Sequence, residues 1–138
     1  MSLRLLHGVL DTSTLILLGR LNPEDLPDEP MITAITLAEL SVGPLVTDDE
    51  SERARRQAHL QQAEADFEPL EFDSMAAREF GQVAASLRRS GRKTSARAYD
   101  ALIAATALAN GLPVYTCNPG DFAGIDGLDV KAVPLPSA

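Results

Sequence analysis

Short apolar runs alternate with amphipathic stretches along almost the whole chain. Residues 5–10 form an apolar run that stops at Asp11, and Thr12, Ser13 and Thr14 then offer capping hydroxyls before Leu15-Ile16-Leu17-Leu18. That order predicts a strand, a turn and a helix. After Gly19, an acidic loop punctuated by Pro23, Pro27 and Pro30 leads to a second strand-like run over residues 31–35. Its helix is expected to begin near Thr36 and to fade at Gly43-Pro44. Residues 47–66 are polar with few breakers, and the spacing of Thr47 and Glu50 fits a capping box, which predicts a mostly exposed helix. Asp73 is placed to cap another helix running towards Gly91, with residues 69–72 as a candidate short strand between the two. Residues 97–110 are nearly all apolar after their first turn and end at Asn110-Gly111, so this helix should be buried on most of its surface. Residues 113–116 and 130–133 read as further strands. Strands alternating with helices imply right-handed crossovers and a mostly parallel sheet covered on both faces, an α/β fold.

Composition narrows the picture. With 138 residues, 45% of them apolar and 23% charged, the chain is expected to be one globular domain, residues 1–138. Twenty acidic against 12 basic side chains give a net charge of −8, which argues against broad adhesion to nucleic acid or anionic membranes. Any nucleic-acid contact must be local. Cys117 is the single cysteine, too few for an internal disulfide or a thiolate zinc cage, and points to a reducing, cytoplasmic setting. No apolar run approaches the roughly 20 residues of a membrane span, and no signal peptide is expected.

In an open parallel sheet, sites form just beyond the carboxyl ends of the strands. Four acids fall at such places: Asp11, Glu39, Asp100 and Asp121. Three have simpler explanations. Asp11 fits a helix cap, Glu39 completes a capping box with Thr36, and Asp121 fits the cap of a short turn. Asp100 resists such a reading, because it heads the apolar row Ile103, Ala104, Ala107 and Leu108, where a carboxylate needs a partner. Brought together, these acids would repel by about 4 kcal/mol per close pair at an effective dielectric of about 20, unless a proton or a cation intervenes. Oxygen ligands without His or Cys suit Mg²⁺ or Mn²⁺. His7 and His59 have no ligand-spaced neighbour and read as structural.

Residues 88–97 hold Arg88, Arg89, Arg92, Lys93 and Arg97 with no acid among them. A solvated helix end accounts for part of this run. Beside a metal-binding acid cluster, however, Arg92, Lys93 and Arg97 would hold a phosphate backbone while metal-bound water attacks phosphorus, which is phosphodiester chemistry. Tyr99 and Tyr115 suit base stacking and core packing equally.

Four segments carry a resemblance: Val9-Leu10-Asp11-Thr12-Ser13, Thr36-Leu37-Ala38-Glu39-Leu40, Tyr99-Asp100-Ala101-Leu102-Ile103-Ala104-Ala105-Thr106-Ala107 and Thr116-Cys117-Asn118-Pro119-Gly120-Asp121-Phe122. In this order and at strand ends, the chain resembles the PIN-domain ribonucleases, specifically the VapC-type toxins of toxin–antitoxin pairs. The resemblance spans nearly the whole sequence. It implies a three-layer α/β/α domain, a homodimer that cleaves RNA with Mg²⁺ or Mn²⁺ and so inhibits translation, and a cognate VapB-type antitoxin that silences it. By motif position, Asp11, Glu39 and Asp100 match the first three acids. Asp121 takes the fourth place, while Asn118 stands where an Asp is frequent and is an indirect ligand candidate. Ser13 joins Arg92, Lys93, Arg97 and Asn118 as a candidate substrate contact. Three alternatives stay open: a catalytically inactive PIN-like module, a receiver-like module, and an aspartate-nucleophile phosphatase. The phosphatase would need an acid where Ser13 stands. The receiver would need a Lys after a late strand, a position that neither Lys93 nor Lys131 fills.

Overall fold

The computed structural model describes residues 5–136. Four short strands, β1 (His7–Leu10), β2 (Glu29–Met31), β3 (Val114–Thr116) and β4 (Val130–Ala132), form one all-parallel sheet in the order β2-β1-β3-β4. The helices between them are α1 (Thr12–Ile16), α2 (Ala34–Val42), α3 (Glu50–Asp66), α4 (Ser74–Arg89) and α5 (Ala98–Ala109).

Val9 lies opposite Val114, and Leu10 lies opposite Tyr115. Because successive strand side chains point to opposite faces, each pair enters a different core. Val9 and Val114 pack with Val83 and Leu87 of α4 and Ile103 of α5. Leu10 and Tyr115 pack with Leu21 and Val133, flanked by Leu15 and Leu18. The result is the expected three-layer α/β/α sandwich, with the mostly apolar α5 buried beside α4 on one face of the sheet. Tyr115 is a core residue whose ring lies so close to β1 that a Cβ at Gly8 would collide with it, whereas Tyr99 remains exposed. Helix α5 stops as the sequence predicts: Gly111 has φ +65°, and the Leu112 amide returns to the Ala107 carbonyl at 2.9 Å.

The boundaries near the second strand differ from expectation. Strand β2 begins before residue 31 and contains Pro30, which is tolerated because β2 ends the sheet order. Thr33, still extended, accepts the Thr36 amide on its hydroxyl, so α2 starts at Ala34 instead of near Thr36. Residues 69–72 form no strand beyond a single bridge between Thr33 and Leu70. Helix α3 is capped by the Asp49 carboxylate, which accepts from the Ser51 and Glu52 amides, and not by Thr47. A carboxylate that ties down two amides displaces the hydroxyl cap, and Glu50 turns to Arg53 instead. Among the described residues, no helix is long and apolar enough to cross a membrane.

Candidate active site

Parallel pairing of β1 and β3 brings the residues that follow each strand to one edge of the sheet. Asp11 follows β1 and is buried. Its Oδ2 accepts the Thr116 hydroxyl at 2.9 Å and the Ser13 hydroxyl at 3.4 Å, while its Oδ1 accepts the Thr14 amide at 3.3 Å. Asp11 therefore does cap α1, and the same carboxylate is tied to the end of β3. One residue fills both roles because a helix that starts directly after a strand must be capped at the strand's carboxyl end.

Glu39 is not part of a capping box. Thr33 caps α2, so Thr36 and Glu39 are both left to face Thr12. The Thr12 hydroxyl donates to Glu39 Oε1 at 2.6 Å, and its oxygen lies 3.0 Å from the buried Thr36 hydroxyl. Thr12 has one proton to give. With Glu39 ionised, Thr36 is therefore the donor to Thr12, and the order runs Thr36 to Thr12 to Glu39. Burial, and after it the negative charge of Asp11, raise the Glu39 pKa against the lowering effect of the Thr12 hydrogen bond.

Asp100 lies in the first turn of α5 and is half-buried. Its carboxyl is pushed up to about 6, first by burial and then by the charges of Asp121, Asp11 and Glu39, with Arg97 opposing. Asp121, in the turn Pro119–Phe122, accepts from Arg97 Nη1 at 2.7 Å. The topology thus brings Asp121, Asp11 and Glu39 all within electrostatic reach of Asp100.

The remaining candidates divide. Ser13 and Asn118 lie on the same edge: Asn118 Nδ2 donates to Ser13 Oγ at 3.1 Å, and its backbone amide donates to Thr116 Oγ1 at 2.9 Å. Asn118 thus reaches Asp11 only through these two hydroxyls. Arg97 is placed inside the acid group as the partner of Asp121, not on an open basic groove. Arg89 is likewise committed, to Asp126 at 2.8 Å. Among the described residues, Arg88, Arg92 and Lys93 have no carboxylate partner; Arg92 and Lys93 lie in the connection between α4 and α5. Sequence reasoning missed the hydroxyls Thr12, Thr36 and Thr116. The only signal was Thr12 next to Asp11, Thr36 one helical turn before Glu39 and Thr116 at the end of β3, which propensity attributes to caps and strands.

The donor set suits a hard divalent cation. That set consists of carboxylate oxygens, those of Asp11 and Glu39 bonded by hydroxyls. A cation would relieve both the burial of the Asp100 charge, which raises its carboxyl most, and the repulsion from its neighbours. Among the described residues, no three His, Cys, Asp or Glu are grouped ready to hold a metal ion as the side chains stand. That openness is compatible with Mg²⁺, which commonly takes one or two carboxylates and keeps waters or substrate phosphates for its other positions.

Fold and geometry together describe a parallel α/β domain with carboxylates gathered at the carboxyl edge of its sheet. A PIN-domain family model matches residues 9–128. The chain is 44% identical over 123 residues to Ribonuclease VapC5 of Mycobacterium tuberculosis, covering 87% of this chain and 88% of that protein. It is 30% identical over 131 residues to Ribonuclease VapC of Rickettsia bellii, covering 92% and 96%. Among solved structures, VapBC-5 of M. tuberculosis, a member of the VapBC family of toxin–antitoxin systems, superposes with a TM-score of 0.79 at 40% identity, over 94% of this chain and 98% of that one. The chain belongs to the PIN-domain family, in its VapC branch.

Proposed function

We propose that the protein is a metal-dependent endoribonuclease toxin that hydrolyses RNA phosphodiester bonds, inhibits translation and is neutralised by a cognate antitoxin. The convergence of Asp11, Glu39, Asp100 and Asp121 on one sheet edge supports this reading, expressed in their joint effect on Asp100. Bound Mg²⁺ or Mn²⁺ would neutralise the acids and make a water nucleophilic near neutral pH. Asp11 and Asp100 are the main ligands in this scheme. Glu39 and Asp121 orient water or a second ion, Glu39 being steadied by Thr12 and Asp121 by Arg97. Ser13 and Asn118 present hydroxyl and amide groups to the substrate, and Arg92 and Lys93 contact its phosphate backbone.

The whole chain, residues 1–138, acts as a single domain in the cytoplasm, as a homodimer bound by its antitoxin. The VapBC-5 relative is a member of a toxin–antitoxin family, and the VapC proteins of M. tuberculosis and R. bellii are named ribonucleases. These relationships favour RNA hydrolysis over the phosphatase and receiver readings. The test is to incubate the purified chain with total RNA, with Mn²⁺ and with excess EDTA, and to map the ends. Discrete cleavage that EDTA abolishes is expected. Full cleavage in EDTA would remove the metal from the scheme, and intact RNA in both would leave an inactive PIN-like module.

A further inference from the structure

A cavity of about 180 Å³ opens beside Glu39, lined by Thr12, Ile16, Glu39, Leu40, Arg56 and His59. It is smaller than the pockets that enclose drug-sized ligands, so it has room for one ring system and not for a whole nucleotide. Ile16 and Leu40 supply apolar lining, while Thr12, Glu39, Arg56 and His59 supply polar edges. Arg56 is no spare cation: its Nε donates to Glu52 at 3.0 Å and its Nη1 to the Gly43 carbonyl at 2.8 Å. With that charge committed and the Glu39 carboxylate on the lining, the cavity repels a phosphate. A flat, uncharged ring with hydrogen-bonding edges fits it better. Single-stranded RNA is read in this manner, by bases splayed out against aromatic, imidazole or guanidinium planes and bonded along their edges.

We propose that this cavity is a nucleobase subsite, taking a base next to the scissile phosphate, with His59 as its specificity-determining residue. The proposal rests on the ribonuclease reading and deepens it. Glu39 and Thr12 belong to both the acid edge and the cavity, so a base seated there sits directly beside the reacting phosphodiester. His59 is exposed on α3 and reaches the cavity through the fold alone, 20 residues from Glu39 in sequence.

The first test needs no catalysis. The His59 ring and the Ile16 and Leu40 methyl groups of the full chain are followed by NMR while each of the four nucleoside 5′-monophosphates is added, with ribose 5-phosphate as the baseless control. Shifts with at least one nucleotide and none with ribose 5-phosphate are expected. Equal shifts with ribose 5-phosphate would make this a phosphate site and overturn the proposal. Unchanged signals with all four nucleotides would also overturn it and leave the cavity to a side chain of a protein partner.

The second test compares wild type with His59→Ala on an RNA library randomised around the cut, in Mn²⁺, after circular dichroism has shown equal helix content. Discrimination among bases at one flanking position is expected to fall about tenfold, the worth of one hydrogen bond from the imidazole to a base edge. An identical base preference would overturn the subsite while cleavage by both proteins upheld the ribonuclease. Wild-type protein that cuts no RNA would instead sink the ribonuclease reading, and the nucleotide titration alone would then decide the cavity.

Discussion

Helix α3 and the carboxyl edge of the sheet are both rich in acids and treat them in opposite ways. On α3 each acid with a basic neighbour one turn away is paired: Glu50 with Arg53 at 2.8 Å, and Glu52 with both Arg55 and Arg56. Hydrogen bonds from Arg55 and Arg56 hold the Glu52 carboxyl below its usual range. At the sheet edge Arg97 pairs with Asp121 and acts on Asp100, and the carboxyls of Asp100 and Glu39, both half-buried, move up instead. Spacing of three or four residues along a helix provides a counter-charge locally. Acids gathered at the sheet edge by topology have no such local partner spacing, and Arg97 alone pairs there, so negative charge accumulates. That accumulation costs stability in the free protein, and it is what the proposed metal-binding role of the edge would draw on.

The largest effect that would test this contrast is on cleavage. Asp100→Asn should lower RNA cleavage by at least about 100-fold, and it should raise the melting temperature of the metal-free protein by removing a repelling charge. Equal cleavage by the variant would take Asp100 out of the site. A large fall in melting temperature would show that its charge is compensated after all.

The pH dependence of stability should separate the two regions next. The Asp100 carboxyl titrates at about 6 in the folded chain, above its unfolded value of about 3.9. Between those values the folded state holds the extra proton, so this group's contribution falls as pH rises from about 4 to about 6 and stays low above. Allowing for screening at a half-exposed carboxyl, the loss is on the order of 1–2 kcal/mol. Denaturant unfolding of wild type and Asp100→Asn over that window isolates the slope, and saturating Mn²⁺ should flatten it. Glu52 acts in the opposite sense, favouring the fold above the ordinary carboxylate range and losing that effect as pH falls.

A smaller effect concerns the hydroxyls that replace counter-charge at the edge. Thr36→Val removes the donor behind Thr12 and should lower cleavage about tenfold while costing about 1 kcal/mol in stability. Thr36→Ser should restore cleavage, since it keeps the donor. Calorimetric Mn²⁺ binding to the three proteins reads the same positioning without turnover. Equal Mn²⁺ affinity and cleavage in Thr36→Val would mean that Glu39 needs no such support. Smallest of all, Glu52→Gln should leave cleavage and melting temperature within error, because exposed pairs on one helix face contribute little.

Much of this was legible in the residues. Apolar runs ending at Asp11 and around residues 113–116, with the apolar α5 closed by Asn110-Gly111, were enough to specify a parallel α/β sandwich, because burial patterns and helix stops are local properties. Asp11, Glu39 and Asp121 were legible by their places after strands, and Asp100 by heading the apolar row of α5. The contacts of Thr12, Thr36 and Arg97, and the place of His59 on the cavity beside Glu39, were not. Thr36 and Glu39 read as a capping box until Thr33 took the cap, and Arg97 read as part of an open basic run until Asp121 met it from 24 residues away. Such pairings depend on which strands are neighbours. The order β2-β1-β3-β4 brings Thr116 to Asp11 across 105 residues, and local pattern holds no record of that distance because hydrogen bonds and Coulomb forces act through space and not along the chain.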